Sequence, residues 1–188
     1  MPRTTALLTV LLVPVTALAQ ETRERDAHVH GISTAEIVVE DGALAIDIVS
    51  PGMDIVGFEH EADSDEDRAA VAAAVAAMGR AGDMVAVDPA GGCLLTGAES
   101  HLRGEDHGEG DDLDDEEHAH EAAGGEGHSE FHARYAFDCA DTDAIRTIAF
   151  PFFDAFPNAE EIEVRYVTGR GAGVAELARG SATLTLDE

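Results

Sequence analysis

Two stretches of the chain alternate apolar and polar residues with the period of a β-strand. In the first, HVHGISTAEIVVE and ALAIDIVS flank Asp41-Gly42, a pair that supplies the positive φ angles of a tight hairpin. Leu44, Ile46 and Ile48 there alternate with Ala45, Asp47 and Val49, so one face is strongly apolar. Pro51-Gly52 ends the second strand, and MDIVGFEH follows as a connecting segment. The later stretch is clearer. Phe131, Ala133, Tyr135, Phe137 and Cys139 point one way, and His128, Glu130, His132, Arg134 and Asp138 point the other.

Between these stretches the period changes. Ser64-Asp65-Glu66-Asp67 has the form of a capping box, and an Ala-rich run to Met78 follows with Val71, Val75 and Met78 on one stripe. The DSDED run at Asp63–Asp67 is no calcium loop, since Arg68 and Ala74 stand where such a loop needs Gly and a bidentate Glu. Cys93 to Leu102 predicts a strand. Asp141-Thr142-Asp143 predicts the start of a second helix carrying Ile145, Ile148, Phe152 and Phe153, with Pro151 kinking or shortening it. EIEVRYVT and SATLTLD are two closing strands joined through TGRGAG. The expected class is α+β: a single domain with a largely antiparallel sheet packed with two helices.

Two segments fall outside that domain. Arg3, the apolar run Ala6 to Ala19 and the terminal Ala17-Leu18-Ala19 predict an export signal over residues 1–19, cleaved after Ala19. The alternative, a membrane anchor, meets a run too short for a bilayer and broken by Pro14. Residues 20–26 read as a mobile leader and 27–188 as the folded domain. Within it, 104–127 is polar, Gly-interrupted and low in complexity, and is expected to form a long disordered His/Asp/Glu-rich loop.

Export bears on the cysteines. Two cysteines in an oxidising compartment are expected to pair, and Cys93–Cys139 would enclose the acidic loop; two buried thiols are the alternative. If the two face each other across an antiparallel pair, Leu95 faces Phe137 and Gly97 faces Tyr135, with the loop at that hairpin's end and the cysteines tying down its base.

The net charge of −28, with no lysine, excludes nucleic acid and anionic membranes as partners, and no later stretch predicts membrane insertion. The acidity is spread along the chain; the histidines are not. Six of the nine lie between Glu99 and His132. Imidazole suits zinc, copper or nickel, whereas carboxylate favours harder ions. A rigid site wants three or four donors from firm elements. His28 and His30, two apart on the first strand, His60 in GFEH, and His128, Glu130 and His132 on the later strand are the candidate ligands. His101, His107, His118 and His120 are candidates for weaker binding in or beside the loop, where ordering costs about 1–2 kcal/mol per residue.

HVHG at His28–Gly31, SPGMDIVGFEH at Ser50–His60, the lone cysteine of CLLTGAE, the His-acid insert and HSEFHARYAFDC at His128–Cys139 together resemble the ZrgA-type family, over about Ala27 to Leu186. The resemblance implies a periplasmic protein of Gram-negative bacteria that binds zinc ion and assists zinc acquisition. It also implies as partner a zinc-uptake ABC transporter or its solute-binding protein. The expected role is zinc acquisition or buffering without catalysis. Two other readings stand beside it: an acidic interaction domain with incidental histidines, and a zinc hydrolase in which Glu130 or Glu59 serves as base. No HExxH, nucleophile elbow or phosphate loop supports the hydrolase.

Overall fold

The structure is a computed structural model that describes residues 29–104 and 128–186. The expected signal segment, the leader, His28, and the insert with His107, His118 and His120 lie outside the described residues.

The alternating stretches become strands. β1 (Ile32–Glu40) and β2 (Ala43–Pro51) pair antiparallel through Asp41-Gly42, whose φ angles of 49° and 82° make the tight turn that the dipeptide predicts. A short α1 (Gly52–Ile55) follows, then α2 (Asp65–Met78), α3 (Ala81–Met84) and β3 (Ala86–Val87). Ser64 caps α2, its hydroxyl accepting the Asp67 N–H at 3.0 Å. β4 (Cys93–Arg103) and β5 (Glu130–Cys139) form the hairpin that carries the insert. The chain closes with β6 (Thr147–Ala149), α4 (Phe152–Ala155), β7 (Glu161–Thr168), β8 (Gly171–Ala178) and β9 (Thr183–Thr185).

Six strands make one sheet in the order β4-β5-β2-β1-β7-β8, parallel only between β1 and β7; β3, β6 and β9 make a second, small one. The fold is therefore mostly β, and the expected α+β class with two packed helices is overturned. Among the described residues only α2 exceeds four residues. The second helix fails for a local reason. Asp141 caps a single 3-10 turn at Thr142–Ala144, and β-branched Thr147 and Ile148 then enter β6. Pro151 disfavours a helical conformation at Phe150 and starts only the one-turn α4. The last three residues of TGRGAG, expected as a connection, begin β8, which pairs with β7 across Gly169-Arg170.

One face of the large sheet is buried. Ala35, Ile37, Leu44, Ile46, Ile48, Phe131, Tyr135, Ile162 and Val164 meet Met78 of α2, Met84 of α3 and the phenylalanines of α4. The Tyr135 hydroxyl donates to the Met78 carbonyl at 2.6 Å, and Ser100 donates to Val75 at 2.8 Å, fixing α2 across the hairpin. Burial raises the Tyr135 phenol above its ordinary range. Arg179 holds the turn after α4 through the Phe153, Phe156, Pro157 and Ala159 carbonyls. The opposite sheet face is open to solvent. Among the described residues no helix is long and apolar enough to cross a membrane.

Cys93 and Cys139 form a disulfide with Cα atoms 3.9 Å apart. Leu95 faces Phe137 as the pairing requires, but an extra residue, Thr96, shifts the register so that Gly97 faces Ala136 and Ala98 faces Tyr135. The disulfide does not sit at the base of the insert. It closes the other end of the hairpin, about 30 Å of extended chain away. The pairs Leu102–Phe131 and Arg103–Glu130 hold the insert's base instead.

Candidate metal centre

Strand direction collects the histidines. β1 and β5 begin, and β2 and β4 end, at the same end of the large sheet, where Glu130 faces both Pro51 and Arg103. His30, His101, His128 and His132 all belong to these strand ends.

His30 does not lie on a strand. It occupies a turn before β1, made by Gly31 at φ +88°. Glycine is needed there because that φ strains any side chain. The Gly31 N–H donates to Asp54 Oδ1 at 2.7 Å, and its carbonyl accepts the Glu160 and Glu161 N–H groups at 2.9 Å. Asp54, in α1, is 1% exposed, so a buried carboxylate fixes the turn that aims His30. His128 likewise lies just before β5 rather than on it. The neighbouring Ser129 carbonyl accepts the Gly52 N–H at 2.7 Å. A Cβ on Gly52 would collide with Ser129 Oγ and come within 2.7 Å of the Phe58 carbonyl. Gly52 thus lets the start of β5 and the segment carrying Glu59 approach each other.

The two rings converge on Glu59. His30 Nε2 lies 3.1 Å and His128 Nδ1 3.0 Å from Glu59 Oε2. A carboxylate only accepts, so without metal a ring proton lies at each of these nitrogens, and it has to move to the ring's other nitrogen before an ion could be bound there. The Glu59 side chain is 10% exposed and the imidazoles 54% and 50%, so the carboxylate forms the floor and the rings the solvent side. His60, next in the chain, is elsewhere: its exposed ring stacks on Phe58 at 4.6 Å, and its Nδ1 meets the Glu61 carbonyl. From the sequence Glu59 reads only as a candidate hydrolytic base and Asp54 has no assigned role; their one signal is a pair of acids in SPGMDIVGFEH.

A second group stands apart. His101 and His132 are direct partners on β4 and β5, their rings stacked at 5.3 Å and 14°. His101 is therefore a strand residue, not part of the insert. His132 Nε2 lies 3.2 Å from Glu130 Oε2. Burial lowers the His132 pKa, outweighing the hydrogen bond and charge of Glu130, and Arg103 and His101 push the same way.

Two imidazoles on one carboxylate are a donor set for a divalent transition metal. Their separations are hydrogen-bond lengths rather than the roughly 2.0–2.2 Å of zinc coordination. Among the described residues no group of three or more His, Cys, Asp and Glu is placed to hold a metal ion. The donor types are those that zinc takes.

Residues 27–186 match the family described as ZrgA family zinc uptake protein, and the chain belongs to that family. No curated protein matches the chain. The family ties the protein to zinc, as the resemblance implied.

Proposed function

We propose that this protein is exported to the periplasm and binds zinc there without catalysis, through His30, Glu59 and His128. On this reading it buffers zinc or passes it to a zinc-uptake ABC transporter or its solute-binding protein. The observation that carries the proposal is the convergence of the two imidazoles on the Glu59 carboxylate. His28, two residues before His30, is the proposed fourth donor, with water as its substitute. The half-exposed rings support an exchangeable ion rather than a permanent structural one. The export signal read over residues 1–19 supports the compartment. The non-catalytic role is supported by the family's zinc-uptake description and by the engagement of both candidate bases, Glu59 and Glu130, with histidines.

Isothermal titration of the full chain with zinc tests the reading. A variant with His107, His118 and His120 changed to alanine should keep its tightest binding step, and one with His30 and His128 changed to alanine should lose it. The reverse pattern would place the tight site in the insert. Binding should also depend on pH. Imidazole binds zinc only when neutral, so protons compete with the ion and the step should weaken as the pH falls, by up to about 100-fold per unit where both rings must lose a proton. Titrations between pH 7.5 and 5.5 check the slope; a flat response would exclude a two-imidazole site.

Asp54→Ala should cost about 1–3 kcal/mol of stability, by leaving the Gly31 N–H without its acceptor. It should also weaken zinc binding about 10–100-fold, as loss of a supporting carboxylate does. Asp54→Asn, which keeps an acceptor oxygen, should recover much of both. Urea denaturation and zinc titration of the two variants provide the comparison.

A further inference from the structure

We propose that β8, one outer edge of the large sheet, pairs antiparallel with β8 of a second copy of this chain about a twofold axis, joining two sheets into one. The inference concerns that edge alone and does not depend on the zinc reading.

The sequence treats the two outer strands, β4 and β8, differently. An open edge presents a row of N–H and C=O groups, which charged residues and bulges ordinarily shield. β4 has both: Glu99 and Arg103 stand along it, and the extra residue Thr96 breaks its register. β8 has little of either. Its eight residues, GAGVAELA, hold one charge, Glu176, and no proline, and they pair with β7 without a register shift. The Tyr166 ring of β7 lies where a Cβ on Gly173 would stand, which fits β8 closely to its neighbour. Beyond the end of β8 the Arg179 N–H donates to the Glu160 carbonyl at 3.2 Å. Ladder bonds recur at every second residue, so the odd-numbered residues of β8 bond β7, and the N–H and C=O groups of Ala172, Val174 and Glu176 point outward. Among the described residues no strand pairs with that edge.

Charge and symmetry identify the occupant. A net charge of −28 opposes self-association over most of the surface, and β8, with one charge in eight residues against 27% for the chain, is where a second copy meets least repulsion. A twofold axis at Val174 sets that residue against its own copy, and Glu176 against Ala172. The two Glu176 carboxylates then lie about 13 Å apart along the strands, beyond the screening length of about 8 Å at physiological salt. An axis at Glu176 would set them face to face. Val174 is 72% exposed, and it shares the open sheet face with Val167 and Ala172, so pairing covers an apolar rim. Ala178 pairs with Glu161 at the histidine end of the sheet. Antiparallel pairing therefore puts the histidine ends of the two copies on opposite sides, and neither completes the other's.

Sedimentation equilibrium of the full chain in EDTA, from micromolar to millimolar protein, tests this. The apparent mass should rise to twice that of one chain, and should do so at lower protein concentration as salt screens the acidic surfaces. Val174→Pro removes an outward N–H that β7 does not use, and should weaken association at least about 10-fold. Val174→Asp, which sets two anions on the axis, should do the same, whereas Leu94→Glu on the exposed opposite edge should leave it unchanged. Hydrogen exchange at the Val174 and Glu176 amides should slow as the dimer forms. A single-chain mass at millimolar protein, a dimer that both Val174 variants leave intact, or one that forms only with added zinc would overturn the proposal. Slow exchange at those amides with a single-chain mass would overturn it too, since another segment of the same chain would then fill the edge.

Discussion

Replacing Glu59 with alanine should lower the affinity of the primary zinc site by at least about 100-fold. Loss of a carboxylate that only orients a ligand already costs about 10–100-fold in metal sites. Glu59 is more than that in this account, because both imidazoles meet on its Oε2 and the variant would remove a donor and a negative charge together. The two rings are half exposed and would keep their turns, which rest on Gly31, Asp54 and Gly52 rather than on Glu59. The loss should therefore appear in affinity with little change in unfolding. His60→Ala, one residue along, should leave zinc binding nearly unchanged, since that ring stacks on Phe58. Calorimetric titration of the two variants side by side measures the contrast. Equal losses would mean that the rings rearrange on binding and that the convergence on Glu59 is not the site.

Removing the disulfide should separate stability from binding. Cys93 and Cys139 are 46 residues apart, and the chain-entropy relation gives about 4 kcal/mol for a loop of that length. In a domain of this size that corresponds to a melting temperature lower by about 8–16 °C. Zinc affinity should change little. The disulfide closes the end of the β4–β5 hairpin near the Asp41-Gly42 turn, where the Cys139 N–H donates to the Gly42 carbonyl. The histidines lie at the opposite end of the sheet. A Cys93→Ser, Cys139→Ser double variant, followed by thermal unfolding and zinc titration, checks both halves. A large loss of affinity with the fold intact would show that the two ends are coupled.

Elements whose residues carry the strand period were legible. The β1–β2 hairpin could be read from Asp41-Gly42 and the Leu44, Ile46, Ile48 alternation, and β5 from Phe131 to Cys139. Residue type concealed others. β8, as GAGVAELA, has one β-branched residue and two glycines, and it is a strand because β7 pairs with it. The Asp141 segment has helical spacing at Ile145 and Ile148, but capping extends over only one turn before Pro151 intervenes. Such short pieces turned an expected α+β domain into a mostly β one.

The site was partly legible for a similar reason. Histidine marks itself by rarity, so His30 and His128 were named from sequence. Glu59 is one of 39 acids, and nothing local sets it apart from its neighbours. What distinguishes it is the reversal at Gly57, φ +85°, and the close approach at Gly52, which carry its carboxylate under two rings that are distant in the chain. His60 looked the better ligand because its side chain is an imidazole. Backbone direction, invisible in composition, turns the His60 ring onto Phe58 and the Glu59 carboxylate toward His30 and His128.

The most direct test of the account is the position of bound zinc in crystals of the zinc-loaded full chain, located by anomalous scattering at the zinc edge. A peak is expected about 2.0–2.2 Å from His30 Nε2, His128 Nδ1 and a Glu59 carboxylate oxygen. A strongest peak at His60, or at insert histidines alone, with Glu59 still hydrogen-bonded to both rings, would contradict it.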